Sequence, residues 1–354
     1  MSGSSFGKAF NITTFGESHG KAVGVVVQGC PPGIEMNETI LQRALDKRRP
    51  GYGIAATKRK EPDIPQIQSG TFEGKTTGTP IMIVIANKDA KSSSYSKIAS
   101  LYRPGHGDYT YQAKYGTRDY RGGGRASARE TAARVAAGAV AQCILDRYHI
   151  KISAYTLELG GIRAQTHNLS DIDNQLQCPD KDAALKMIKK IKAVKKQGDS
   201  LGGIVEVVAS NVPAGLGDPV FDKLDADLAK GFMSIGAVKA VEIGAGIAAP
   251  KMTGFENNDQ ILSKGFETNH SGGILAGISN GDEIVARVHV KPIPSILKPQ
   301  QTIDVNGNVQ TISTEGRHDI SAIPRINKVC EAMAAIVLTD HLLRQKSITG
   351  SSGD

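Results

Sequence analysis

The stretch GESHGKAVGVVVQGCPPG at residues 16–33 recurs in diverged form as GDSLGGIVEVVASNVPAG at residues 198–215, position for position and without a gap. Each copy runs on into a segment with leucines at helical spacing. A second, shorter echo matches Gly74, Thr76, Gly78 and Ile81 with Gly277, Ser279, Gly281 and Ile284. Chance matches among glycines and valines are the alternative, but the shared order predicts two diverged copies of one structural unit, at about residues 10–150 and 195–344.

The two copies differ at one position where the change has chemical consequences. His19 in the first copy corresponds to Leu201 in the second. Residues that both copies share serve the turns and strands that both copies need, whereas an imidazole in place of an aliphatic side chain is a candidate for proton transfer. A structural or surface role is the alternative for a single histidine.

Hydrophobic periodicity predicts an α+β fold. Strands are predicted at residues 23–28, 81–86, 204–210 and 283–290. Helices are predicted at residues 37–49, 127–148, 182–196, 221–233 and 326–344. Because the strands come in groups joined by glycine turns, without regular alternation with helices, a doubly wound sheet is disfavoured. Residues 347–354 are expected to form a disordered tail.

The composition limits the classes of partner and cofactor. The formal net charge of +8 is compatible with nucleic acid, acidic lipid or small polyanionic ligands. The four cysteines are scattered without a CxxC pair, and the eight histidines lack metal-ligand spacing, so we expect neither a disulfide scaffold nor a metal. We see no signal peptide and no apolar run of membrane-spanning length, and therefore expect a soluble, cytoplasmic protein that does not bind a membrane.

A glycine run at residues 120–130, YRGGGRASARE, leads directly into the predicted helix at 127–148. Ser127 and Glu130 have the spacing of a capping box. Free backbone N–H groups and the helix dipole favour an anion at such a helix start, and Arg121, Arg125 and Arg129 supply positive charge. The alternative is a glycine turn with solvated arginines.

Three further segments contain candidate site residues. The loop at 87–120 has little periodicity but many tyrosines, and His106 lies in it between two glycines; a mobile surface loop is the alternative. Lys47–Pro50 closes a helix, where cations offset the helix dipole or bind an anion. Asp319 follows Arg317 and His318 and could act as a base or cap the last helix.

Taken together, these segments resemble the chorismate synthase family. Three blocks carry the resemblance: Thr14–Gly20 with Pro31–Gly33, Arg103–His106 through Arg121–Thr131, and Gly316–Asp319. Further matches, in the same order between residues 6 and 344, are Asp46–Pro50, Val212–Gly217, Asn269–Gly273, Lys291-Pro292 and Asp340–Leu343. Their combination is far more specific than any one of them.

The resemblance implies a single catalytic domain at residues 1–346, with an internal pseudo-twofold repeat, helices layered between antiparallel β-sheets, and assembly as a homotetramer. It implies a lyase of the shikimate pathway, which feeds aromatic amino acid biosynthesis. The reaction is the anti-1,4-elimination of phosphate from 5-enolpyruvylshikimate 3-phosphate to give chorismate. The implied cofactor is reduced FMN, used without net redox change. No extra domain for flavin reduction is visible, so we expect an external flavin reductase, with NADPH involved only indirectly.

Position by position, the resemblance also implies the site residues. The cofactor-binding positions are Arg125, Ala126, Ser127, Gly236, Ala237, Ala276, Lys291, Pro292, Ile293, Pro294, Ser295 and Arg317. The phosphorylated dicarboxylate substrate is expected to contact Ser18, Arg48, Arg49 and Arg129. His19 is expected to protonate the departing phosphate, His106 to lie at the pyrimidine edge of the flavin, and Asp319 to aid proton transfer near flavin N5.

This chain departs from the family pattern at three places. Ile54 stands where many members have a second arginine, Ala276 replaces a usual glycine, and Ile320-Ser321 follows Asp319 where Pro-Cys is common. Lys58 or Arg59 could replace the missing cation. Two other functions stay open at this stage: another flavin- or phosphate-binding enzyme on the same scaffold, and an RNA-binding protein, which the arginine-glycine segment and its tyrosines suggest only weakly because that segment occurs once.

Overall fold

Two antiparallel sheets form the outer layers of this protein in a computed structural model that describes residues 3–49, 54–55, 61–88, 99–314 and 318–350. The strands are β1 (Ser5–Phe6), β2 (Asn11–Gly16), β3 (Ala22–Gln28), β4 (Pro65–Ile67), β5 (Thr71–Phe72), β6 (Lys75–Thr76), β7 (Ile81–Ala86), β8 (Lys151–Leu159), β9 (Ile162–Arg163), β10 (Gly203–Ser210), β11 (Val238–Ile243), β12 (Ile261–Leu262), β13 (Gly265–Phe266), β14 (Ile274–Leu275), β15 (Ile278–Ser279), β16 (Ile284–Val290), β17 (Gln300–Ile303) and β18 (Val309–Ile312). The helices are α1 (Glu38–Arg48), α2 (Asp108–Tyr115), α3 (Thr131–Leu145), α4 (Lys181–Lys196), α5 (Leu224–Met233), α6 (Gly254–Asn257) and α7 (Ile323–Thr349).

The helices lie between the sheets. Within the described residues, one sheet has the order β1-β2-β3-β7-β4 and the other the order β9-β8-β10-β16-β11. Helices α1 and α3 pack against the first sheet, α5 and α7 pack against the second, and α3 crosses α7 at the centre. Gly138 of α3 permits this crossing, since a methyl group there would lie 2.4 Å from the Cβ of Ala332 in α7. The predicted α+β fold class is confirmed.

The strands and helices follow from hydrophobic pattern. In β16 every second residue is buried, as expected for a strand with one face on the core. Helix α3 buries nearly all of its side chains, most of them alanine, because it lies between the first sheet and α7. All four strands and all five helices predicted from the sequence are present, with ends shifted by a few residues.

The two halves of the sequence build equivalent structures. Thr76 donates its hydroxyl to the carbonyl of Pro31 at 2.6 Å and accepts from the backbone N–H of Ile34 at 3.0 Å. Ser279 makes the same two hydrogen bonds in the second half, to the carbonyl of Pro213 at 2.6 Å and from the N–H of Leu216 at 2.8 Å. The second sheet also contains β8, which precedes residue 195 in sequence. The internal repeat is therefore present in the hydrogen bonds as well as in the sequence.

Two local predictions were wrong. Ser127 accepts a hydrogen bond from the N–H of Arg129 and caps a single 3-10 turn at Ala128–Glu130, ahead of α3. No capping box forms, because the carboxylate of Glu130 accepts from the side chains of Thr14 and Arg134 instead. The predicted disordered tail was placed to start at residue 347, but α7 continues to Thr349. Residues 351–354 lie outside the described part of the chain.

Candidate active site

The loop after β2, which carries His19, packs against the glycine run. Gly122 has a φ of +109°, and a methyl group on it would come within 2.5 Å of Cε1 of His19. The hydroxyl of Ser18 lies 3.1 Å from Nδ1 of the same ring, and its backbone N–H donates to the carbonyl of Gly124 at 3.4 Å. Because glycine leaves room for the imidazole, the two sequence motifs form one wall.

Arg125 binds strand β2, which precedes the loop of His19. Its guanidinium donates to the hydroxyl of Thr14 at 2.7 Å, to the carbonyl of Thr14 at 3.0 Å and to the carbonyl of Gly16 at 3.1 Å. The side chain expected to contact flavin is therefore bound to β2 in this structure. Space for a ligand exists along the neighbouring backbone, since a methyl group on Gly124 would meet nothing within 4 Å and Ala126 is exposed.

His106 lies on the loop before α2, with both ring nitrogens hydrogen-bonded. Nδ1 is 3.1 Å from the carbonyl of Pro104 and must carry the proton, since a carbonyl can only accept. Nε2 then accepts from the hydroxyl of Ser295 at 2.8 Å. Burial, and after it the positive charge of Arg103, lowers the pKa of His106 to about 4. The imidazole is neutral at neutral pH here, and it can act as an acid only where a nearby anion raises its pKa.

Most of the predicted cofactor-binding segments meet at this place. Nζ of Lys291 donates to the carbonyl of Gly105 at 2.8 Å, and its backbone N–H donates to the carbonyl of Ala237 at 2.9 Å. Gly236 faces the carbonyl of Ala126, which would lie 3.9 Å from a methyl group at position 236. The segments at 103–107, 124–127, 236–237 and 291–295 are therefore in contact although they are far apart in sequence.

One of the predicted cofactor positions, Ala276, lies away from this group. Ala276 lies in the turn between β14 and β15, with a φ of +53° that glycine would adopt more easily. The next residue, Gly277, accepts from the N–H of Leu224 at the start of α5, whereas Gly236 follows the end of that helix. A ten-residue helix of about 15 Å thus separates them. Arg317, and likewise Lys58 and Arg59, lie outside the described residues.

Two of the predicted substrate-binding arginines share one carboxylate. Nη2 of Arg48 donates to Asp63 at 2.7 Å, and Nη1 of Arg129 binds the other oxygen of Asp63. The side chains of Arg48, Arg129 and Asp63 are only 1%, 3% and 0% exposed. Burial alone would raise the pKa of Asp63, but the two guanidinium groups outweigh it and hold that pKa below its usual range. Burial lowers the pKa of Arg48 to about 10, so Arg48 stays charged at neutral pH.

Arg49, the neighbouring residue, is oriented differently. It lies at the end of α1 and forms an ion pair with Asp46 at 3.3 Å, and the two side chains are 33% and 44% exposed to solvent. The structure therefore does not bring Arg49 into the pair formed by Arg48 and Arg129.

A second buried carboxylate pairs with two arginines beside His106. Asp108 accepts from Nε and Nη2 of Arg103, each at 2.8 Å, and lies 3.1 Å from Nη1 of Arg118. Burial would raise the pKa of Asp108, but hydrogen bonds and charge from Arg103 lower it overall. Nη2 of Arg103 also donates to the carbonyl of Gly122 at 3.1 Å, which ties the His106 loop to the wall that holds His19.

Asp319 and two of the family departures are neighbours. Asp319 accepts from Nη1 of Arg325 at 2.5 Å. The next residue, Ile320, donates its backbone N–H to the carbonyl of Ala55 at 2.8 Å, and both Ile54 and Ile320 pack against the core. Proline at position 320 could not donate this hydrogen bond, so the contact depends on one of the two departures.

Two residues near Asp319 act electrostatically on the site. The positive charge of Arg325 is one of the causes that lower the pKa of Arg48, and His318 acts in the same way on His106.

Five residues of this site were given no role from the sequence. They are Asp63, Arg103, Asp108, Arg118 and Arg325. Arg103 and Arg118 were visible in the long aperiodic loop, but nothing pointed to their shared partner. Asp63 is 15 positions from Arg48 and 66 from Arg129, so no local spacing could have linked it to them.

The described residues contain no helix that is long and apolar enough to cross a membrane. Nor do they contain a group of three or more His, Cys, Asp or Glu side chains placed to hold a metal ion. The candidate site combines the imidazole groups of His19 and His106, four arginines in two buried clusters, and backbone at Gly124 with room for a ligand. This arrangement suits a small polyanionic molecule.

Comparison with known proteins agrees with this description. The family model described as chorismate synthase matches residues 10–343. The chain is 63% identical to the chorismate synthase of Desulfosudis oleivorans over 99% of both chains, and 62% identical to that of Desulfatibacillum aliphaticivorans over 98% of both. A solved crystal structure of chorismate synthase superposes with a TM-score of 0.74 at 33% identity, covering 95% of this chain and 92% of the other. The chain therefore belongs to the chorismate synthase family.

Proposed function

We propose that this chain catalyses the anti-1,4-elimination of phosphate from 5-enolpyruvylshikimate 3-phosphate to give chorismate, with reduced FMN as cofactor. The observation that carries the proposal is the convergence of the family's motifs on one place. The loop of His19, the glycine run, the His106 loop and the segment at 291–295 are joined by direct contacts. In the reaction the C3–O bond breaks, a hydrogen leaves C6, and no net oxidation or reduction occurs.

Buried positive charge supports binding of the substrate. The cluster of Arg48, Arg129 and Asp63 holds two arginines and one carboxylate, and so carries one excess positive charge. An uncompensated charge of this kind in a buried place strongly favours an anionic partner, because little water competes for it. The substrate has two carboxylates and a phosphate. We assign Arg48, Arg129 and Ser18 to it, and leave Arg49 as a residue that would need to reorient.

His19 supplies the proton for the departing phosphate in this proposal. The ring is half-buried against Gly122, and the hydroxyl of Ser18 holds Nδ1, which leaves Nε2 directed to a different partner. A phosphate dianion beside the ring would raise the pKa of His19 and favour the imidazolium form that can protonate it. A positioned general acid of this type contributes typically about 10²–10⁴-fold in rate.

The segments at 124–127, 236–237 and 291–295 are the proposed flavin contacts. They fit such a group because an added methyl group on Gly124 would meet nothing within 4 Å, and because Lys291 and Ser295 bring polar atoms to the same place. Reduced FMN supplies transient electron density to the reacting substrate. The neutral His106, fixed between Pro104 and Ser295, would orient the pyrimidine edge and take up a proton where the flavin is anionic. Asp319, held by Arg325, would accept or relay a proton near flavin N5.

We further propose that the active protein is a cytoplasmic homotetramer that receives reduced flavin from an external, NADPH-dependent reductase. Phe221 is an exposed apolar side chain close in sequence to Leu224, whose N–H binds the turn that holds Ala276, and it supports a contact between copies.

Anaerobic turnover tests the proposed function. Purified protein is mixed with reduced FMN and 5-enolpyruvylshikimate 3-phosphate, and chorismate and phosphate are followed together. Equimolar release of both products, with none when oxidised FMN replaces the reduced form, is the expected result. Binding of both ligands without turnover would contradict the proposal and direct attention to Ile54 and Ile320. Sedimentation analysis of the same preparation tests the tetramer.

A further inference from the structure

We propose that Asp63 is a positioning residue for substrate binding: its carboxylate fixes Arg48 and Arg129 in the one arrangement that receives a substrate anion. This inference rests on the proposed function, since it concerns the substrate site of that reaction. Asp63 itself need not touch the substrate. It acts by holding two guanidinium groups that otherwise repel each other.

The geometry of the cluster holds the two arginines together. The two oxygens of Asp63 bind different arginines, Nη2 of Arg48 at 2.7 Å and Nη1 of Arg129. Two guanidinium groups that share one carboxylate are held close together with their orientations fixed. Without the carboxylate, their mutual repulsion in a buried place would drive them apart.

Each arginine is fixed from the other side as well. Nη1 of Arg48 donates to the carbonyl of Ala128 at 3.1 Å and to the hydroxyl of Thr131 at 2.9 Å. Nε of Arg129 donates to the side chain of Asn87 at 2.7 Å. Asp63 therefore completes a set of contacts that leaves neither guanidinium free to rotate.

These contacts leave one donor of Arg48 without a partner in the described part of the chain. Nε of Arg48 is buried and has no hydrogen-bond partner among the described residues. A buried unpaired donor on a charged group is costly, so an arrangement that keeps it suits a site that a ligand completes. Nε of Arg325, whose charge acts on Arg48, is buried and unpaired in the same way.

The charge of the cluster also favours this role. The cluster of Arg48, Arg129 and Asp63 has a net charge of one positive unit. An anion of the substrate thus meets one excess charge rather than two. Asp63 limits the cost of burying the arginines and leaves enough attraction for a carboxylate or phosphate.

The backbone of Asp63 is consistent with a fixed position. Its φ of +48° is in the left-handed region, which aspartate tolerates better than most residues but still at some cost. The preceding Pro62 accepts from the side chain of Gln42 at 3.2 Å, and β4 begins at Pro65. The turn that contains Asp63 is therefore held on both sides, and this fixes the position of its carboxylate at the two arginines.

The test is steady-state kinetics of the full-length Asp63→Asn and Asp63→Glu variants under anaerobic conditions with reduced FMN. Asparagine keeps the shape and removes the charge, while glutamate keeps the charge and displaces it by one methylene. We expect KM for 5-enolpyruvylshikimate 3-phosphate to rise by about tenfold or more in both, because anion binding is lost. We expect kcat to change by less than about threefold and FMN affinity by less than about twofold.

Glu206→Gln is the matched control, since Glu206 is also a buried carboxylate paired with an arginine, Arg287, but lies on the outer face of the second sheet. It should lower thermal stability without changing KM. A purely structural Asp63 would behave in the same way: lower stability with an unchanged KM in either variant would overturn the inference. If Asp63→Asn does not fold, Asp63→Glu alone decides by the same KM criterion. Absence of turnover in the unmodified protein would instead refute the proposed function.

Discussion

The two copies of the repeated unit have the same backbone arrangement and different tasks. In the first, Ser18 and His19 form the wall against Gly122. In the second, Ser200 donates its hydroxyl to the carbonyl of Ile293 at 2.6 Å, and Leu201 packs against the core. One copy thus presents an ionisable ring, while the other supports the segment on which His106 is fixed. The residues that both copies share maintain the fold. The residues that differ give the first copy a proton donor and the second copy a packing role.

The His19→Leu variant gives the first copy the residue that the second copy has at the same position, and so tests this difference most directly. We expect turnover to fall by about 100-fold or more, because a general acid is removed, while FMN affinity changes little. Anaerobic turnover and flavin titration measure the two effects. Leu201→Met, a change of similar volume in the other copy, serves as the control and should leave turnover within about threefold. A loss of less than tenfold in His19→Leu would show that the imidazole is not the acid.

Gly122→Ala tests whether the position of His19 matters as much as its presence. The new methyl group would lie 2.5 Å from Cε1 of His19 and force the ring to move, so we expect turnover to fall by about tenfold or more. Gly161→Ala is the matched control, because Gly161 also has a positive φ, of +80°, but has no neighbouring atom within 4 Å of an added methyl group. Both should lose about 1 kcal/mol of stability. Equal turnover in the two variants would contradict the steric argument.

Thr76→Val and Ser279→Ala test the part of the unit that the copies share. Each removes a hydroxyl that joins two backbone groups, and each leaves the N–H of Ile34 or Leu216 without its partner. We expect each variant to lower the free energy of unfolding by about 1–3 kcal/mol, by similar amounts, with unchanged turnover. Denaturant titration measures the first quantity. A large difference between the two would show that the halves do not contribute equally.

The smallest effect concerns the contact between the halves, where His106 of the first meets Ser295 of the second. Because the pKa of His106 is about 4 in the folded chain, the unfolded chain binds a proton at higher pH than the folded one. The contribution of the neutral His106 ring to the free energy of unfolding is fully present above about pH 6.5 and is lost as the pH falls toward 4. Between pH 7 and 5.5 we expect a loss of about 1 kcal/mol that His106→Gln does not show. Parallel pH profiles for the two proteins would refute the lowered pKa.

The fold was largely predictable, and the reasons are local. Strands such as β3 and β16 have β-branched residues on a buried face, and α7 has helical spacing over more than six turns. The prediction of a capping box at Ser127 was wrong because the carboxylate of Glu130 accepts from Thr14 and Arg134 instead, which only the folded chain brings near. Local pattern predicts an element well and its hydrogen-bond partners poorly.

The sequence indicated part of the candidate site, and the part without a predicted role consists of two carboxylates and the arginines Arg103, Arg118 and Arg325. His19 stood out because the second copy has a leucine at its position, and the glycine run stood out because it leads into a helix. Asp63 and Asp108 did not, since an isolated aspartate in a sequence usually caps a turn or faces solvent. Their significance comes from burial beside two arginines each.

The amino-acid sequence by itself determined the elements, the duplication and the family, because each depends on patterns that are short in sequence or repeated along it. Tertiary structure alone decided which charges are buried and which atoms they bind. It placed Arg48 and Arg129 on one carboxylate, turned the Arg125 side chain toward β2, and made His106 neutral through burial. The physical reason is that a charge's free energy depends on its surroundings in space, and residues far apart in the chain provide those surroundings.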